Sequence, residues 1–229
     1  VVRPDKVETR RGTSMPGGRI DRFSSAPLLL LVAACVRPPL ADGCPDLAEG
    51  DLIITEMRGP QSGSYRQWIE VHNPTDAPIP ANGLRLEFTR LDGSNFFTFF
   101  VRDETLTIAP GGSIVIGGGS PDEHPYIDYD YTGDHHSTTP GKENDPSDLY
   151  GAGTLDLSAC GLQLDHIFYT LPGEGTLSLD GSAPPDAATN DAANPDEDDG
   201  WCANLSPGEG PQTGIGLNGS PGEANPPCP

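Results

Sequence analysis

Alternation of bulky apolar and polar residues is the strongest pattern along this chain. Residues 84–90 (LRLEFTR) place Leu84, Leu86 and Phe88 on one side and Arg85, Glu87 and Thr89 on the other, the two-residue period of a half-buried strand. The stretch 51–73 carries strand character twice. Leu52, Ile53 and Ile54 open a run over 51–57, and a Gly/Pro/Ser segment at 59–64 interrupts it. The run at 66–72 then sets Ile69 and Val71 against Trp68, Glu70 and His72 before stopping at Asn73-Pro74. Further strands are predicted at 96–102, after the hairpin signal Asp92-Gly93, and at 105–108 and 113–117, on either side of Pro110-Gly111-Gly112. Others are predicted at 155–157, 162–169 and 176–180. Residues 75–83, 118–150 and 182–200 read as loops, the last of them acidic and of low complexity. No window sustains a 3.6-residue apolar period, so helix is not expected. About eight short strands at roughly 10–15-residue spacing predict an all-β, two-sheet sandwich with long acidic loops.

Composition agrees with that reading. The 229 residues suffice for one sizeable domain. Gly (29) and Pro (25) make up nearly a quarter of the chain, and apolar residues only 34%, the balance of a turn-rich β protein. The formal charge of −21 narrows the function classes. Such a surface repels phosphate, so nucleic acid is not an expected partner, whereas cations and basic polypeptides are attracted. After Arg102 the only Lys or Arg is Lys142.

The first 34 residues read as an address. Residues 1–14 are polar, and Met15 is the natural start, so the segment before it reads as mis-assigned upstream sequence. Arg19 and Arg22 then precede an apolar run at 26–32 and the small pair Ala33-Ala34. That is a secretory signal, too short to span a bilayer stably. Val32-Ala33-Ala34-Cys35 resembles the lipobox of bacterial lipoproteins. The resemblance implies that Cys35 is lipidated and becomes the first mature residue, held in the membrane by three acyl chains. By the same analogy, Val36 directs the protein to the outer membrane, on its periplasmic face or at the cell surface. From Cys35 onward seven Lys or Arg stand against 31 Asp or Glu, a charge of −24. No basic clamp for a lipid surface exists, and the acyl chains must anchor alone. The predicted organisation is signal and upstream segment at 1–34, Pro-rich tether at 35–50, sandwich at 51–226, and a short end at 227–229.

Several pieces resemble the lamin tail domain, an immunoglobulin-like sandwich of nuclear lamins and bacterial surface proteins. IITEM at 53–57 and QWIEVHNPTDAPI at 67–79 are similar to its opening strands. GLRLE at 83–87, TIAPGGSIVIG at 107–117, LDHIFY at 164–169 and GTLSLDG at 175–181 follow in the family's order, with Asp180 where Arg is usual. GSPGEAN at 219–225 is similar to the closing motif. Together these cover about 51–226. The resemblance implies structural motif residues, no catalytic set, and a partner that is a protein, a glycan or an envelope component.

Cys44, Cys160, Cys202 and Cys228 remain besides the lipobox cysteine. Four cysteines in an exported protein predict two disulfides, with three possible pairings. Since the first and last strands of such a sandwich often lie close, Cys44–Cys228 with Cys160–Cys202 is the favoured set. No CxxC spacing points to zinc or redox chemistry.

Three features are candidates for chemistry. The tract 122–136 (DEHPYIDYDYTGDHH) gathers His124, Asp128, Asp130, Asp134, His135 and His136, ligand types for a metal but without the spacing of a known site. The tract 186–199 (DAATNDAANPDEDD) adds Asp196 and Asp198. A calcium-dependent adhesion module built on these two loops is the alternative function. Otherwise no cofactor is expected, and a solvated acidic surface accounts for both tracts. Glu56 and Glu70 offer an acid–base pair in name, but both fall in strand motifs where hydrogen bonding explains them. Gly-x-Ser-x-Gly is absent, and no enzymatic activity is expected. Trp68 and Trp201 are expected in the core rather than on a ligand platform.

Overall fold

The computed structural model describes residues 46–61, 66–141, 149–194, 200–205 and 218–229. The predicted signal segment, Cys35, Cys44, Asp196 and Asp198 lie outside the described residues.

Fourteen strands are present among those described. They are β1 (Ile53–Arg58), β2 (Trp68–His72), β3 (Ile79–Pro80), β4 (Leu84–Thr89), β5 (Phe96–Phe100), β6 (Thr107–Ile108) and β7 (Ser113–Gly117). After these come β8 (Tyr129–Asp130), β9 (His135–Ser137), β10 (Ala152–Ala159), β11 (Leu162–Thr170), β12 (Thr176–Leu179), β13 (Ala192–Ala193) and β14 (Trp201–Asn204). One six-stranded sheet runs β14-β12-β1-β2-β7-β8 and a second runs β13-β11-β10-β4-β5-β9, with β3 and β6 as a separate ribbon. Pairing is antiparallel except for β7–β8 and β11–β13 at the sheet ends. No helix among the described residues is long and apolar enough to cross a membrane.

The alternation that predicts strands also assembles the core. In β4 buried and half-buried residues alternate without a break. One cluster joins Ile54, Ile69 and Ile116 of the first sheet to Leu86, Phe97 and Leu157 of the second. Two sheets therefore share one apolar interior, and the all-β expectation holds. Phe99 stacks on Tyr131 at 4.5 Å between ring centroids, which ties the segment after β8 to that interior.

Three differences from the sequence reading are informative. Strand β10 runs eight residues where only 155–157 is predicted. Its Gly, Ser and Ala positions have weak strand propensity, and pairing with both β11 and β4 overrides it. The β10–β11 turn is Cys160-Gly161, with φ of 51° and 83°, both in the left-handed region that two-residue hairpins demand. Trp68 is fully buried but lies outside the main cluster, packing with Val115, Tyr126 and Ile127. In β2 and β7 these residues alternate with Ile69, Ile114 and Ile116 of the shared interior, so Trp68 sits on the outer face of the first sheet. The loop after β7, which carries Tyr126 and Ile127, folds back to cover it. Trp201 does join the main cluster, its Nε1 donating to the Asn190 carbonyl at 3.1 Å.

The favoured disulfide set is corrected. Cys202 bonds to Cys228, with 5.8 Å between Cα atoms, so neither Cys160–Cys202 nor Cys44–Cys228 forms. Cys160 is also disulfide-bonded, to neither of those two. The cause lies in β12, which pairs with β14 so that Ser178 stands opposite Cys202. Asp180, just beyond β12, accepts the backbone N–H of Cys228 at 2.8 Å. The tail is thus laid beside β14 rather than at the front of the chain. Replacing Cys228 by Ser is expected to cost about 2–4 kcal/mol, read as a lower urea midpoint than that of the oxidised wild type.

Candidate functional site: a buried carboxylate pair and the cavity beside it

The register of β1 against β2 shifts between Ile54 and Glu56, and beyond the shift Glu56 stands directly opposite Glu70. Paired residues on adjacent strands share a face, so both carboxylates point to the outer side of the first sheet, like Trp68. Like charges placed this way repel, and burying them costs more. Both are buried nonetheless. The donors around them explain why. Glu56 accepts hydrogen bonds from the hydroxyls of Thr176 (2.8 Å) and Ser178, and from the backbone N–H of Ser220 (3.0 Å). Glu70 accepts from the Thr55 hydroxyl at 2.6 Å and from the backbone N–H of Gly222 at 2.7 Å.

The two amide donors, Ser220 and Gly222, come from the C-terminal segment GSPGEAN, which the pair straps across the sheet. Asn225 completes the strap by donating to the Thr55 carbonyl at 2.9 Å and accepting from the Ser220 hydroxyl at 2.8 Å. Gly219 lets the backbone come this close. Its φ is +99°, and a Cβ there would stand 2.6 Å from Glu56 Oε1.

Burial pushes the Glu56 carboxyl up to about 6, against the pull of its hydroxyl and amide donors. Burial first, and then the charge on Glu56, pushes Glu70 up to about 8. Near neutral pH the pair therefore shares close to one proton and keeps close to one negative charge. Its hydrogen-bond partners are all neutral. Next to Glu70 lies a cavity of about 320 Å³, bounded by His72, Ser113, Leu179, Pro184 and Glu223. A second cavity, of about 460 Å³, opens on the other side of the segment 179–184 and is lined by Asp180, Asp186 and Asp191.

Among the described residues, the carboxylates and imidazoles of the predicted calcium loop at 128–136 are engaged within the protein. Asp128 accepts the Val115 N–H at 2.8 Å, Asp130 the Thr132 N–H at 2.9 Å, and Asp134 pairs with Arg102. His135 stacks on Phe97 and His136 packs against Phe96. Among the described residues no group of three or more His, Cys, Asp or Glu could hold a metal ion. One structural carboxylate was not anticipated. Asp165 in β11 accepts the Ile54 N–H at 2.7 Å and Asn190 Nδ2 at 2.8 Å, linking the second sheet to β1 just before the register shift. Its sequence signal was its place in the LDHIFY motif, which carries no sign of the contacts it makes.

No protein-family model matches the chain, and no curated protein matches it. Among solved structures it is similar to a DUF4876 family protein from Bacteroides thetaiotaomicron, at 11% identity and a TM-score of 0.36, over 55% of each chain. The chain thus spans about half the length of that protein, and a likeness at this level defines no shared fold.

Proposed function

We propose that this is a lipid-anchored protein of the bacterial cell envelope, displaying an immunoglobulin-like, lamin-tail-type sandwich as a non-catalytic binding or structural module. The observation that carries the reading is the engagement of Glu56 and Glu70. A general acid or base must exchange a proton with a substrate inside hydrogen-bond reach. Here both oxygens of Glu56 face donors from the protein itself, Glu70 is tied to Thr55 and Gly222, and the product of that arrangement is a fastened C-terminal segment. The opening and closing motifs of the lamin tail resemblance are the segments so joined. Two sheets around one interior suit that architecture, and the acyl chains expected on Cys35 would keep the module at the membrane.

The test is metabolic labelling with a radioactive fatty acid. The wild type is expected to carry label and to sediment with membranes, and Cys35→Ala to lose both. An unlabelled wild type would remove the anchor. A pulldown from detergent-solubilised envelopes that recovers nothing above background would count against the binding role.

A further inference from the structure

We propose that the cavity beside Glu70 is a binding site for the side chain of a lysine presented by a basic partner polypeptide. The proposal rests on reading the domain as a binding module, and it names the chemistry of the partner.

The first argument is a missing charge. Glu56 and Glu70 are buried face to face, and among the described residues every donor to them is a hydroxyl or a backbone amide. Buried carboxylates are ordinarily matched by a cation, and among the described residues no Lys or Arg lines the adjoining cavity. The pair keeps about one negative charge near neutral pH, and an ammonium entering from that side would match it.

The second argument is the wall. Leu179, Ala183, Pro184 and Ala224 line the cavity together with carboxylate-bearing residues. A lysine matches such a lining, with a long apolar stem and a compact charged tip. The exposed Glu223, whose carboxylate has no hydrogen-bond or ion-pair partner among the described residues, stands at the rim. An arginine fits less well. Its planar fork is best served by a carboxylate with both oxygens open, and those of Glu70 are already tied to Thr55 and Gly222.

The third argument is the field. The neighbouring cavity is lined by Asp180, Asp186 and Asp191 and, among the described residues, likewise by no Lys or Arg. With a chain charge of −21, the whole region draws in a basic polypeptide. The titratable groups facing Glu70 are Glu56 from β1, His72 from its own strand, and Asp180 and Glu223 from the covering segments. Burial lowers the pKa of His72, which leaves its ring neutral near pH 7 and unopposed to a cation. Entry of the ammonium favours ionised Glu70, so binding releases a proton.

The experiment is calorimetric titration of the full chain in detergent with a capped Gly-Gly-Lys-Gly-Gly peptide. Its N-ε-acetyllysine form, its arginine form and free 1,5-diaminopentane serve as comparisons. The lysine peptide is expected to bind saturably, at least tenfold tighter than the acetylated and arginine forms and tighter than the diamine. Glu70→Gln, which keeps the shape and the acceptor for Gly222, is expected to weaken it at least tenfold. Glu223→Lys lies on the surface, leaves the fold intact, and is expected to weaken it severalfold should Glu70→Gln fail to fold. Equal binding of acetylated and free lysine, wild-type affinity in both variants, or no binding at all would overturn the proposal. Tighter binding of the diamine would overturn the polypeptide source. None of these outcomes touches the fatty-acid labelling, so loss of this site and loss of the anchored-module reading are separable.

Discussion

Glu56→Ala is expected to lower the stability of the protein by about 3–5 kcal/mol, the cost of removing one partner from a buried polar network. The side chain is buried and receives Thr176, Ser178 and the Ser220 amide. Truncation leaves those donors buried without an acceptor, each at about 1–3 kcal/mol, partly relieved by local loosening. It also frees the closing segment from the sheet. The measurement is a urea midpoint combined with hydrogen exchange at Ser220 and Gly222. Both amides are expected to lose protection well before those of β4 and β10. Glu56→Gln keeps the acceptor count nearly whole but turns an NH2 toward the Ser220 amide, so it should cost about 1–2 kcal/mol. Wild-type protection at Ser220 in the alanine variant would show that the strap is held by something else.

The second large effect is on pH dependence, and its sign is the reverse of the usual carboxylate case. Glu70 has a folded pKa of about 8 and Glu56 one of about 6, both above the ordinary value of 4.5. The folded state therefore binds protons that the unfolded state releases. Stability from this pair is full below pH 4.5 and is lost as pH rises, through 6 for Glu56 and through 8 for Glu70. Buried Asp128 and Asp165, also raised by burial, act in the same direction. His72, lowered by burial, opposes them below pH 6.5. Asp103, held low by the Thr105 hydroxyl, is lost only below the ordinary carboxylate range, outside this window. The wild type should lose on the order of a few kcal/mol between pH 5 and 9. Glu70→Gln should remain flat between pH 6 and 8 and equal or exceed the wild type at pH 8. Chemical denaturation at five pH values decides it. A wild-type curve that rises across that window would mean that Glu70 is ionised in the fold at little cost.

Much of this could be read from the chain directly. Period-two alternation placed β4 with its buried face correct, since Leu84, Leu86 and Phe88 need only their own neighbours to declare a side. Strand β10 was cut short because Gly153 and Ser158 carry no strand preference of their own. Strands β8 and β9 were hidden in an acidic loop, because two or three residues cannot show a period. Among the site residues, Glu56 and Glu70 were legible as structural strand positions. Their partner segment was legible only as a closing motif, without its contacts.

Local physics sets what the sequence alone determined: an all-β chain, an acidic surface, the faces of the longer strands, and the cysteines available for pairing. Side-chain period and charge are properties of neighbouring residues, so they survive without coordinates. The tertiary structure decided that Cys202 takes Cys228, that Trp68 is buried on the outer face of its sheet, and that two carboxylates meet a segment more than 150 positions away. Such contacts depend on which strands become neighbours and in what register. Chain folding selects that arrangement among many that satisfy the same local alternation.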